Sequence, residues 1–286
     1  MKCKKNISKQ KTFTIPQIGI IIVLICLAII VFYPFYLTVI KSFKTPDQDL
    51  YNPYSLTFPL YIENYSIAWS YVAPYIFNSL FVAVCSTILG LVVATATAYG
   101  FTRFNFPGKN AIYMAILALM MVPGVLTLIP KYTIIIDMHL MNNFLGIILP
   151  GITGSLPFRL MLLRTFFAGV PNDLFEAAEI DGASHFKQYL NIMIPMCSPI
   201  LATIAINSFM GSWNGAVWPK LILTDERYFT IPIGLISFTR EFQEHFRDAM
   251  SAPLAGYVIS SIPLMILFAF ASKQFIKGLT SGAFKM

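Results

Sequence analysis

Charge is scarce in this sequence. Asp, Glu, Lys and Arg make up 12% of its 286 residues, against about 25% in an ordinary soluble domain. With 57% hydrophobic residues, the chain has too little polar surface to hide its apolar bulk from water, so a membrane is its natural solvent. Catalytic signatures are missing too. No GxxxxGK[ST] phosphate loop occurs, so ATP chemistry has to come from another chain. Neither HExxH nor GxSxG is present, and His139, His185 and His245 all fall in loops. An intramembrane enzyme should instead carry its acid–base groups inside spans. The cysteines Cys3, Cys26, Cys85 and Cys197 show no CxxC or metal-ligand spacing and read as small apolar packing residues. No cofactor or metal is expected on this chain.

Long charge-free runs are what the sequence has instead. Six of them, Thr12 to Ile40, Asn64 to Thr102, Asn110 to Pro130, Leu140 to Phe158, Gln188 to Pro219 and Ala249 to Ser272, reach the roughly 20 residues that a membrane-spanning helix requires. The fourth holds Pro150, Gly151 and Pro157 and is closed by Arg159, yet Pro and Gly are tolerated in membrane helices. None of the runs encloses a charged residue, which argues against a carrier coupled to protons or sodium. The first run, behind Lys2, Lys4, Lys5, Lys9 and Lys11, is too long for a cleavable signal and reads as a signal anchor and first span.

Six spans put both termini on one side. That side collects the N-terminal lysines, Arg103, Lys109, Arg159, Arg164, Lys187, Lys273, Lys277 and Lys285, whereas Lys41, Lys44, Lys131, Lys220, Arg227, Arg240 and Arg247 lie opposite. The bias makes the first side cytoplasmic and accounts for most of the net charge of +7. No basic stripe interleaved with aromatics points to nucleic acid. The expected fold is an all-α membrane protein: a cytoplasmic tail over 1–11, a six-helix domain over 12–276 and a cytoplasmic C-terminal tail over 277–286. Two outer segments are long, about Lys41 to Ala73 and Lys220 to Asp248. The Glu241–Asp248 stretch of the second is either a short amphipathic helix or a solvated loop.

The most informative segment lies between the fourth and fifth runs, over 171–195. Pro171 and Asn172 mark a helix start, and Asp173 and Glu176 put negative charge in its first turn, where the helix dipole favours it. Ala177 and Ala178 favour the helix without adding bulk. Gly182 is the stop signal, since glycine accepts the left-handed conformation, and Ser184 can cap the next helix. Pro195 and Pro199 then bend or break the chain. A short helix, a glycine turn and a second helix follow. Small alanines would let that unit seat in a partner's groove, although a plain alanine-rich surface helix has the same composition.

The spacing Glu176-Ala177-Ala178, three residues, Gly182, nine residues, Ile192, one residue, Ile194-Pro195 resembles the EAA loop of ABC-importer permeases, a family that prefers Leu at the position of Ile194. The resemblance extends to Glu63-Asn64-Tyr65, to Asn78-Ser79, to the inner-loop stretch from Ala98-Tyr99-Gly100 through Phe106-Pro107-Gly108, and to Trp213-Asn214. With the tail Lys277 to Lys285 these look like the carbohydrate branch, whose best-known member is the smaller permease subunit of the maltose importer. Many relatives end in Gly where this chain ends in Met286.

Such a resemblance implies a type I importer in the cytoplasmic (inner) membrane of a prokaryote. This permease would pair with a second one, as a heterodimer, above an ABC ATPase dimer that binds ATP and Mg, and an extracytoplasmic binding protein would deliver a sugar or oligosaccharide. Glu176, Ala177, Ala178, Gly182, Ile192 and Pro195 would belong to the ATPase-coupling element.

Sugar recognition needs hydrogen-bonding groups and aromatic faces. Asn207 lies roughly 20 Å beyond Pro195 at about 1.5 Å per residue, near the midplane, with Ser208, Trp213 and Asn214 following outward. Asn78 and Ser79 lie near the outer end of the second run. These are candidate pathway residues, or else polar contacts between helices; Trp213 is alternatively an interfacial belt residue. A neutral sugar is preferred over a phosphate ester, because Arg159 is the only cation the spans offer and it stands at an edge.

Overall fold

The computed structural model describes residues 15–246 and 250–283. Residues 1–14, 247–249 and 284–286 lie outside that range, as do the side chains of Ile15, Pro16, His245 and Phe246 and those beyond Phe270. All regular structure among the described residues is helical.

Helix α1 (Ile15–Ser42) is apolar all round, with a mean hydropathy of 3.0 over its most apolar window. Most of its side chains are exposed, the pattern of a helix whose surroundings are lipid. A short helix α2 (Pro46–Tyr51) follows, with a capping box between Thr45 and Gln48. Asn64 ties this outer segment to the next helix by donating to the carbonyls of Ser42 and Lys44.

Helix α3 (Glu63–Arg103) has 41 residues and extends about 60 Å, twice the roughly 30 Å hydrocarbon thickness. It is the central strut of the fold. A buried series of small residues, Ala83, Thr87, Gly90, Ala94 and Ala98, repeats at near-helical spacing. Small side chains let a second backbone approach closely, and it is here that α6 (Leu145–Phe167) packs.

Three of the expected spans depart from their charge-free runs, two by breaking and one in its bounds. Run 110–130 is split into α4 (Lys109–Ala118), a tight turn over Leu119–Met121, and α5 (Leu128–Asp137). Pro123 explains the split, because the residue before a proline is pushed out of the helical region, and Val122 is extended at ψ 117°. The fourth run starts later than expected and does not stop at Arg159. Helix α6 continues to Phe167, with Leu160, Leu163 and Phe167 buried, so Arg159 lies inside the helix and not at its edge.

The fifth run begins in α8 (His185–Gln188) and a π-turn over Tyr189–Met193. It passes through α9 (Ile194–Met196) and turns by 79° into α10 (Ser198–Trp213). Pro195 and Pro199 flank that bend and remove backbone donors there.

The second outer segment carries α11 (Val217–Ile222) and α12 (Ile231–Phe246). Helix α12 is amphipathic, with Ile231, Ile233, Leu235 and Phe238 buried, so 241–246 belongs to a helix rather than a loop. Helix α13 (Ser251–Ala283) closes the fold against α1, α3 and α10. Among the described residues, four helices are long and apolar enough to cross a membrane, or five if the bent pair is one span.

Candidate functional site: a helix–glycine–helix loop and a cavity between helices

The loop after α6 forms helix α7 (Asp173–Ile180). Asn172 stands at its start, but its side chain makes no cap bond. Its Oδ1 instead accepts from Arg103 Nη1 at 2.8 Å. The same guanidinium lies 3.9 Å above the ring of Phe175, which is fully buried. Arg103 and Phe175 thus join the end of α3 to α7.

Gly182 takes φ +74° and closes α7 with a paired motif. Its N–H donates to the Glu179 carbonyl at 3.0 Å, while Ala183 N–H donates to that of Ala178 at 2.8 Å. This is the Schellman arrangement that a left-handed glycine permits. Ser184 then caps α8 by accepting from the N–H of Lys187.

Further contacts make this loop one body with the end of α3. Tyr99 Oη donates to the carbonyl of His185, and the Thr95 and Tyr189 hydroxyls meet at 2.7 Å. Buried Gln188 donates to the carbonyl of Ala183. Around them Ala94, Ala98, Leu160, Leu163, Phe167, Phe175 and Met193 form a core cluster, against which Ile192 is half-buried. Glu176, Ala177, Gly182 and Pro195 are exposed and Ala178 is half-buried. Beside them Leu174 and Phe186 are exposed, as is Ile180, at 88%. An apolar surface is therefore displayed on a unit whose own anchors lie beneath it. Sequence reasoning missed Arg103, Phe175 and Gln188. Arg103 and its aromatic neighbours in the Ala98–Phe106 stretch were the available signal.

A cavity of about 660 Å³ opens between α6 and α10, bounded also by Ser86 of α3 and by Trp218 and Pro219 of α11. Asn207 and Ser208 line it, with Ser155, Thr203 and Arg159. The Asn207 amide donates to the Thr203 carbonyl and the Ser208 hydroxyl to that of Ile204. Those bonds use a donor from each side chain, and each side-chain oxygen can still accept.

The other pathway candidates are not part of the lining. Asn78 Nδ2 donates to the carbonyls of Arg227 and Phe229, each at 2.9 Å, and Ser79 Oγ accepts from Ile231 N–H at 2.7 Å. Both fasten the approach to α12. Trp213 is buried and stacked on Phe209 in the core. Exposed Asn214 ends α10.

Among the described residues only helices occur, four or five of them long and apolar enough to cross a membrane; with a mostly apolar cavity edged by a few polar side chains between α6 and α10 and a loop pinned to the end of α3, this is a multi-pass membrane protein. Residues 86–281 place it by family: the chain belongs to the binding-protein-dependent transport system inner membrane components. It is 31% identical to the probable ABC transporter permease protein YurM of Bacillus subtilis (strain 168), over 96% of this chain and 91% of that one. The arabinooligosaccharides transport system permease protein AraQ of the same organism is 29% identical, covering 96% and 97%. The fold is similar, with a TM-score of 0.82 and 21% identity, to a chain of the crystal structure of a bacterial ABC transporter involved in the import of the acidic polysaccharide alginate. That match covers 92% of this chain and 99% of the other.

Proposed function

We propose that this chain is the permease subunit of an ABC importer that moves a sugar or oligosaccharide inward across the cytoplasmic membrane. Full-length similarity to a permease named for arabinooligosaccharides supports the cargo class. The observation that carries the mechanism is the α7–Gly182–α8 unit: its exposed Glu176, Ala177 and Ile180 stand on a base locked to α3 by Arg103, Phe175 and Tyr99. A push on such a unit is delivered to the 41-residue helix that contacts α6, α10 and α13.

In this reading α1, α3, the α4–α5 pair, α6, the α8–α10 pair and α13 make six passes, with both termini cytoplasmic. A second permease completes the pathway, a binding protein delivers cargo from outside, and an ATPase dimer holding ATP and Mg docks at 171–195. ATP hydrolysis resides on those partners.

Reconstitution tests the assignment. The chain with its second permease, ATPase and binding protein should accumulate labelled oligosaccharide in proteoliposomes when ATP is supplied, and the chain alone should neither hydrolyse ATP nor concentrate cargo. Robust accumulation by the isolated chain would make it a secondary carrier.

A further inference from the structure

Arg159 is 7% exposed, lies within α6 and lines the cavity. Its Nη1 is buried without a hydrogen-bond partner. No Asp or Glu side chain is among the cavity-lining residues, and no ion pair involves Arg159 among the described residues. A buried guanidinium without a counter-charge is costly in a membrane, where ionisable groups are rare and ordinarily paired.

The fold nevertheless makes room for it. At Gly90 of α3 an ideal Cβ would stand 1.8 Å from Nη1, so any larger residue would have to displace the guanidinium. The position across from Arg159 is a socket that fits this side chain and supplies no acceptor. Around it Ser86, Ser155, Thr203, Asn207 and Ser208 face the same space, a set suited to sugar hydroxyls. The missing complement is negative charge.

Resting on the permease reading, we propose that the cavity admits a sugar bearing an anionic substituent, a carboxylate or a phosphate, and that Arg159 is the group that recognises it. The guanidinium fork matches either anion with two parallel hydrogen bonds. A neutral sugar offers hydrogen-bond acceptors but no counter-charge. This reverses the preference for neutral cargo, which assumed Arg159 at the edge of its span.

The test uses the complete importer in proteoliposomes with uronate oligosaccharides, their neutral methyl esters and sugar phosphates. The wild-type complex should take up one acidic class at least about tenfold faster than neutral cargo of equal length, the scale of a charged hydrogen bond. Uronate or phosphate as the favoured class identifies the anion, and either supports the assignment. Arg159→Gln should cut that uptake by a similar factor while cargo-free ATP hydrolysis, assembly and cargo binding to the binding protein stay unchanged. Arg159→Lys should retain part of it.

Equal or exclusive uptake of neutral cargo by the wild type would overturn the inference, and so would wild-type acidic uptake by Arg159→Gln. If Arg159→Gln prevents assembly, the guanidinium pairs with the second permease and the cargo role is wrong. ATP-driven uptake of nothing by the complete complex would instead sink the permease reading, and this inference with it.

Discussion

Gly182 shows how much one backbone angle can control. Its φ of +74° is free for glycine, and a Cβ there would meet nothing within 4 Å. The obstacle to substitution in this chain is therefore backbone strain, about 1 kcal/mol or more for a side chain that resists the left-handed region. Asparagine tolerates that region and should act as a mild replacement. Gly182→Asn is expected to retain most ATPase co-purification with the permease, whereas Gly182→Asp, with a similar backbone cost but an added negative charge on the surface offered to the ATPase, should reach the membrane in normal amount but lose docking or cargo-stimulated hydrolysis. Wild-type hydrolysis and assembly in Gly182→Asp would mean that the loop is an ordinary surface helix.

Among the elements, α7 is too short to be stable by itself, since isolated helices below about 12 residues are marginal in water. Its eight residues depend on the Phe175 anchor. Truncating a buried Phe to Ala typically costs about 3–5 kcal/mol. Phe175→Ala should thus loosen the loop locally, and limited proteolysis should show faster cleavage within 171–195 with the remaining helices protected. Helix α12 depends on smaller ties. Asn78→Ala removes two side-chain bonds to the carbonyls of Arg227 and Phe229, each worth about 1 kcal/mol. It should lower the thermal stability of the purified complex and leave cargo preference unchanged, because Asn78 is outside the cavity lining. A shift in cargo preference would instead put Asn78 on the pathway.

For the whole molecule the open quantity is how the passes are oriented. In a variant lacking Cys3, Cys26, Cys85 and Cys197, a single cysteine at exposed Glu226 should react with an impermeant thiol reagent in intact cells. One at exposed Ser184 should react only after lysis. The opposite pattern would reverse the inside bias of Lys and Arg.

The sequence alone determined the solvent, the all-helical class and the helix–Gly182–helix form of the loop over 171–195. Each of these follows from local chemistry: the length of a charge-free run, the residues that start a helix, and a glycine where a left-handed turn is needed. Tertiary structure decided what each polar group does. Asn78, Ser79 and Asn207 looked alike along the chain, yet the first two fasten α12 and only Asn207 lines the cavity. Arg159 looked like the end of a span because a linear reading ends an apolar run at the next charge. The helix continues because the residues beyond it, Leu160, Leu163 and Phe167, find a core to bury in, and because Gly90, far away in sequence, leaves space for the guanidinium. That space depends on how closely α3 and α6 pack, a distance set by the small residues of one helix facing the large residues of another.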